Sequence, residues 1–447
     1  MCGRAVVRLR RRRPRRARRR HDALTRNRGV TRPRAVVVVT GSELVRGERT
    51  DRNGPFLAAQ ALSLGLEPAR ITIVGDRPDE LEAALRDGLR ADLCLVSGGL
   101  GPTHDDRTIE VVARAVGRRL VVDEDLEREI EGVSRRIAER LRRPYADFAA
   151  GVRKQATLPE GARSLGLAGT APGVVLGVDG RAAVVLPGPP AELRRLWPAA
   201  LVTEEVRAVL TRTQPPGRRV LRFYGASESA VARALEEAGG DGRGVEATVC
   251  ARDFEIHVDL VVDDGAAARA DELAHELRTR LGEYLFAEDE RGVEEIVLQL
   301  CRARGLSLAT AESCTGGLVA GRLTSVPGSS DVFVGGVVAY ADAVKERELA
   351  VPAALLAEHG AVSAEVAEAM ARGAQTRLGA DIGVAVTGIA GPGGGSPEKP
   401  VGLVFLHAEG PDAGRALRFE LPGDRDSIRS RSTVAALHLV RRILSQS

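Results

Sequence analysis

The chain has 447 residues, 44% hydrophobic and 28% charged, an ordinary composition for a set of two to four globular domains, and no apolar run is long enough to span a membrane. Aromatics make up only 3%, so the cores must be Ala, Val and Leu, and little surface is left for stacking nucleic acid bases. The net charge of +4 misleads, because residues 1–34 hold fifteen Arg against Asp22, which leaves −10 on residues 35–447.

The tail "RAVVRLRRRRPRRARRRHDALTRNRGVTRPR" cannot bury a core and is expected to be disordered. It reads either as a nucleic-acid-binding arm or as an upstream-extended start, and the second reading is preferred. It has no apolar segment of the secretory kind. Five scattered cysteines without a CxxC argue against disulfides and structural zinc, and for a reduced cytoplasmic protein.

Residues 35–205 alternate strand and helix patterns. "RAVVVVTG" is a buried strand, "NGPFLAAQALSLG" a helix and "EPARITIVGD" a strand. "PDELEAALRDGLRA" is a helix with Pro in its first turn, "DLCLVSGG" a strand and "DDRTIEVVARAVG" a helix. This alternation predicts a parallel sheet covered by helices, with ligands beyond the C-terminal strand ends. The loops 40–47 and 97–103 fall there. "LTRTQPPGRRV" reads as a linker, and residues 206–290 as linker plus a small α+β module without evident chemistry. A second α/β unit spans 291–447. The fold class is therefore α/β: two parallel or mixed-sheet three-layer domains joined by a small α+β module.

In the second α/β unit, "ATAESCTGG" follows a strand and opens a helix. Unpaired amides of Thr315, Gly316 and Gly317 at a helix start could hold a phosphate or steady an oxyanion. Ser313 is then a candidate nucleophile, and it needs a base. His359 and His407 have no evident partner and read as structural. In "GGVVAYADAVKERELA", Asp342 reads as an N-cap and Lys345 as a first-turn lysine, the wrong sign for the helix dipole. The dipole and partial burial both favour a neutral amine, which a base requires. Tyr340 could relay a proton. The competing reading is a surface lysine and a core tyrosine. "TGIAGPGGGSPEKPVG" reads as a phosphate or ribose cradle or as a flexible surface turn.

"ATAESCTGGLVAGRLTSVPGSSDVFVGGVVAYADAVKERELAV", "HGAVSAEVAEAMARGA" and "TGIAGPGGGSPEKPVGLV" together resemble the C-terminal domain of the CinA family across nearly all of 291–447. The resemblance implies a nicotinamide mononucleotide amidohydrolase that releases nicotinate mononucleotide and ammonia without a cofactor. It implies Ser313 as nucleophile with Tyr340 and Lys345, and amides 315–317 at the oxyanion. It places Thr387, Gly388, Ala390 and Gly391, up to Pro392, with Ser329 and Ser330 around the ribose phosphate. "YAD" replaces the family's usual "YSN", which bears on a substrate hydrogen bond rather than on the three catalytic residues.

In the first domain, "SGGLGPTHDDRT" joins glycines to two acids. Gly98, Gly99, Gly101 and Thr103 suit a phosphate. Asp105 and Asp106 would repel it unless a divalent cation lay between, and Glu43, Asp51 and Asn53 add oxygen donors nearby. Helix capping is the plainer role for the two aspartates. With "RKQATLPEGA", "GTAPG" and "LPGPPAEL", this stretch resembles the molybdopterin-binding-like domain of CinA proteins. That resemblance implies metal-dependent cleavage of ADP-ribose, with Asp105, Asp106, Asp51 and Glu43 as metal ligands and Lys154 as the charge partner of the pyrophosphate. "DRN" for "DTN", which brings in Arg52, and a missing "NPVG" leave the substrate open. A homodimer is also expected. The expectation is a cytoplasmic pyridine-nucleotide enzyme acting on nicotinamide mononucleotide and ADP-ribose, with no membrane or specific nucleic acid partner. The alternatives are a molybdopterin- or nucleotide-binding accessory without turnover, and a DNA-uptake accessory. The acidic body argues against the last.

Overall fold

The computed structural model describes residues 32–445; the Arg-rich stretch 1–31 and residues 446–447, and with them the expected disordered tail, lie outside the described residues. The chain divides after Pro216 into two compact units.

The first unit carries a six-stranded sheet in the order Glu67–Val74, Arg34–Thr40, Leu93–Ser97, Arg181–Leu186, Pro172–Val178, Arg163–Leu167. The first four strands run parallel, the fifth runs against them, and the sixth pairs antiparallel with the fifth. Strand alternation splits the side chains between two cores. Val36, Val38, Cys94 and Val96 pack with Leu81, Leu85, Val111 and Val112 of helices Pro78–Gly88 and Thr108–Ala115. Ala35, Val37, Val39 and Leu95 pack with Leu57, Leu193 and Trp197 on the opposite face. Both faces are covered, so the central strand is apolar throughout rather than alternating. The expected linker is shorter than its sequence suggests. Glu204–Leu210 is helical and the next strand starts at Gly217, so the connection is 211–216.

The second unit contains both the small module and the C-terminal sheet. The module has strands in the order Val245–Arg252, Glu255–Val262, Gly217–Tyr224, Leu285–Ala287, all antiparallel, with helices Glu228–Glu237 and Ala267–Leu281. The C-terminal sheet runs Phe333–Val338, Leu308–Glu312, Ile382–Gly388, Leu403–Glu409, Gly414–Glu420. The first three are parallel, the fourth runs against them, and the fifth pairs antiparallel with the fourth. Helix Ala364–Leu378 buries Val366, Met370 and Ala374 on one face. Helices Val293–Arg304 and Arg425–Ser445 cover the other. No helix among the described residues is long and apolar enough to cross a membrane.

The module joins the final helix through a buried polar cluster. His438 stacks on Tyr224 with ring centroids 3.7 Å apart and meets Phe286 edge-on at 4.6 Å. Its Nδ1 accepts from Arg441 Nε at 3.2 Å, so Nε2 carries the proton and donates to Glu255 at 2.8 Å. Glu255 also pairs with His257 at 3.2 Å. Burial holds His438 down to about 4, against the pull of Glu255. Burial pushes Glu255 up, but the bonds from His257 and His438 outweigh it and bring the carboxyl to about 2. A histidine depressed on folding binds its proton more readily when unfolded. Its stabilisation is present above about 6.5 and is lost as pH falls toward 4. The contribution of Glu255 is lost lower, between 4.5 and about 2. The melting midpoint of the second unit should therefore fall between pH 7 and pH 4, and fall less in His438→Gln. Calorimetry in which the variant tracks the wild type across that range would contradict this.

Candidate functional site

At the C-terminal ends of the three parallel strands in the second unit, the backbone brings several predicted residues together. Ser313 follows strand Leu308–Glu312; its amide donates to Val386 O at 2.9 Å, and the Ala339 amide donates to Glu312 O at 2.8 Å. The turn after Ser313 depends on Gly316 and Gly317, whose φ values of 60° and 96° lie in the region L side chains rarely adopt. A residue not singled out in the sequence organises this turn. The Glu312 carboxylate, 1% exposed, accepts from the amides of Gly317 (2.9 Å), Val319 (3.1 Å) and Ala320 (2.8 Å). It thereby caps helix Leu318–Thr324. The expected set of free amides is corrected accordingly: Gly317 serves Glu312, and Gly316 donates to Ser313 O at 3.1 Å. Thr315 is wholly buried and its hydroxyl finds no partner. Beside Ser313, burial pushes the Cys314 thiol up to about 12, so it stays protonated.

Lys345 and Tyr340 reverse the plain alternative. The lysine is 1% exposed and the tyrosine 59%. Lys345 Nζ donates to the Tyr340 carbonyl at 3.3 Å and to Asp342 Oδ1 at 3.2 Å. The Tyr340 hydroxyl instead accepts from Arg425 Nη2 at 2.9 Å. Tyr340 thus meets the lysine through its main chain, not as the expected phenol relay. Asp342 is the first helical residue of Asp342–Leu349 rather than the N-cap, which is Ala341.

Two arginines missed in the sequence tie the site's loops together. Arg425 also donates to Gly391 O at 2.8 Å. Arg429 donates to the carbonyls of Cys314 (3.1 Å) and Thr315 (3.0 Å). They lie four apart in "DRDSIRS" and so share one helix face, a signal visible once that stretch is read as a helix. The glycine-rich loop is anchored at its base. Thr387 Oγ1 donates to Ala361 O at 2.7 Å, and Lys399 Nζ donates to His359 O at 2.6 Å and Val362 O at 2.8 Å. Gly388, Ala390 and Gly391 follow at the strand end, Ala390 buried. His407 is buried against Glu409 at 2.8 Å.

Ser329 and Ser330 are not part of this cluster. They precede strand Phe333–Val338, whose start pairs with Leu308, so they sit at the opposite strand ends, roughly 16 Å away along the strand by its rise. A crossover helix returns the chain to the start of the next parallel strand, and these serines belong to that return.

In the first unit, the loop after Ser97 bends sharply, with Gly98 at φ 106° and Gly99 at φ 64°. A Cβ on Gly98 would meet Thr40 O at 2.5 Å. Asn53 Nδ2 clamps Ser97 Oγ (2.9 Å) to Gly188 O (2.7 Å), a structural role for the amide nitrogen. Gly99, Gly101, Asp106, Glu110, Lys154 and Gln155 line a cavity of about 160 Å³.

The expected metal ligands do not converge there. Asp51 accepts from the amides of Asn53 (2.8 Å) and Gly54 (3.1 Å), capping helix Asn53–Ser63. Asp106 accepts from the Thr103 amide at 3.0 Å and from its hydroxyl. Asp105 is fully exposed and held below the usual carboxylate range, first by Thr103. Glu43 folds toward Gly41. Among the described residues no three His, Cys, Asp or Glu side chains form a metal cage. These donors therefore do not fit a resident divalent ion. Lys154 lines the cavity and donates to the Thr103 carbonyl. The acids also do not cap the next helix, which starts at Thr108.

Three family models match the chain: a probable molybdopterin binding domain at 36–206, the damage-inducible protein CinA KH domain at 218–287, and the CinA C-terminal domain at 290–444. A CinA-like protein of Mycolicibacterium paratuberculosis is 44% identical over 435 residues, 93% of this chain and 99% of the relative. That of Mycobacterium marinum is 46% identical over 428 residues, covering 92% and 99%. Among solved structures, a competence/damage inducible protein from Agrobacterium tumefaciens is 40% identical over 36% of this chain and all of that one, with TM-score 0.34. The protein CinA from Thermoplasma acidophilum is 33% identical over 38% of this chain and 96% of that one, also with TM-score 0.34. With three matched domains and relatives aligned over their whole length, the chain belongs to the CinA family.

Proposed function

We propose that the second unit hydrolyses the carboxamide of nicotinamide mononucleotide to the carboxylate and ammonia. The observation that carries this reading is an amine, Lys345, buried at the strand ends that also present Ser313. Ser313 Oγ attacks the carboxamide carbon and Lys345 takes its proton. The tetrahedral intermediate collapses to an ester on Ser313, and the proton on Lys345 leaves with ammonia. Water, deprotonated by the same amine, then hydrolyses the ester. The amides of Gly316 and Gly317 are engaged and so are not free to hold the oxyanion. The protonated Cys314 thiol is no rival nucleophile. Arg425 and Arg429 bring positive charge to the strand ends, where the substrate phosphate would sit.

For the first unit, the reading favoured is a phosphate-binding domain that does not turn its ligand over. Its cavity is lined by Gly99, Gly101 and Lys154, groups suited to a phosphate, and Asp51 and Asp106 accept from backbone amides. The metal-dependent cleavage of ADP-ribose implied by the resemblance would need those carboxylates to leave their amides.

Ser313→Ala should lower ammonia release from nicotinamide mononucleotide at least ~1000-fold, with the melting midpoint unchanged. Near-normal turnover would remove Ser313 as nucleophile. Lys345→Met should lose activity to a similar degree while retaining stability, because an apolar side chain of similar size replaces a buried amine. A folded Lys345→Met enzyme with wild-type kcat would exclude the base. Calorimetry with ADP-ribose and Mg²⁺ should give saturable binding without AMP in the mixture. Binding should be lost in Gly98→Ala, where the new Cβ meets Thr40 O. AMP formation that depends on Asp106 would overturn the binding-only reading.

A further inference from the structure

We infer that the 217–287 module is a positioning element of the Ser313 site, acting through the final helix. That helix, Arg425–Ser445, runs 21 residues, roughly 30 Å. Its first turns hold the site, Arg425 on Tyr340 and Gly391, Arg429 on the turn after Ser313. The next two residues, Ser430 and Arg431, are gripped by the module. Ser430 Oγ donates to Asp253 Oδ1 at 3.0 Å. The Arg431 guanidinium lies 5.4 Å over the Phe254 ring, which meets Phe419 edge-on at 6.3 Å.

Asp253 and Phe254 form the two-residue connection between strands Val245–Arg252 and Glu255–Val262, paired Arg252 to Glu255. Both have positive φ, 48° and 74°, the geometry of the tight hairpin turns that usually take Asn or Gly. A phenylalanine there is strained, and strain of this kind persists where surrounding contacts over-determine it. Here the contacts are on the helix that carries Arg429. Farther along the same helix, His438, Arg441 and Arg442 dock on Glu255, Tyr224 and Phe286. The module therefore fixes the helix at two places, one of them a single residue past Arg429. It also holds nine Arg against fourteen Asp and Glu over 217–287, a balance that disfavours a polyanion as its ligand.

The kinetic form of this inference rests on the amidase reading; the positional form does not. The test uses the full chain carrying Phe254→Ala and follows hydrogen–deuterium exchange. The reporters are the amides of Gly317, Val319 and Ala320, all bonded to Glu312. Their exchange should rise ~10-fold while the strand Ile382–Gly388 stays protected, and Phe254→Tyr should restore it. With nicotinamide mononucleotide, kcat should fall ~10-fold in Phe254→Ala and recover in Phe254→Tyr. Ser430→Ala, a milder change, should shift the same amides in the same direction. Loss of protection confined to the 250–258 hairpin, with the reporters unchanged, would overturn the inference. So would a uniform rise across the unit, which marks a merely structural role. If the wild type releases no ammonia, the amidase reading fails and the exchange data still decide the positional claim.

Discussion

A buried carboxylate sets the geometry on which the C-terminal site depends. Glu312 ends a central strand and accepts three amides of the helix that follows. A carboxylate this deeply buried is costly unless its lone pairs are filled, and here the helix's own orphan donors fill them. The strand, the two left-handed glycines and the helix become one rigid corner with Ser313 at its bend. The same bonds use up the dipole end that a phosphate or oxyanion would otherwise seek. Positive charge beside the corner comes instead from arginines on the final helix.

That helix connects the remaining parts. Its first turns join three loops from three parallel strands through Arg425 and Arg429. Its later turns carry His438 into a cluster with Glu255, Tyr224 and Phe286. Neutral His438 and ionised Glu255 satisfy each other in a dry environment, where an unpaired partner would be expensive. One element thus shares its stability between the site and the small module, which is why the two form a single compact unit.

Much of the fold was legible because hydrophobic period and turn residues agree. The apolar run 35–40 became a central strand, and "ESCTGG" became the strand-to-helix corner expected of its glycines. The final helix is hidden in the sequence, because its start is a run of Arg, Asp and Ser that looks like a polar surface segment. Glu312 carries no sequence signal of its own, since its capping role depends on amides five to eight residues later. Ser329 and Ser330 were misplaced because nearness in sequence does not survive a crossover between parallel strands. The metal ligands fail for a related reason. Aspartates near glycine turns have amides of their own to satisfy, and only the three-dimensional arrangement shows that Asp51 and Asp106 do so.

The claim that the corner at Ser313 holds a nucleophile can be tested by trapping its ester. The full chain would be mixed with nicotinamide mononucleotide, acid-quenched within the first turnover and analysed by peptide mass spectrometry. The account predicts an adduct of substrate less ammonia on the peptide bearing Ser313, absent from Ser313→Ala. An adduct on a different residue, or undiminished ammonia release by the variant, would contradict it.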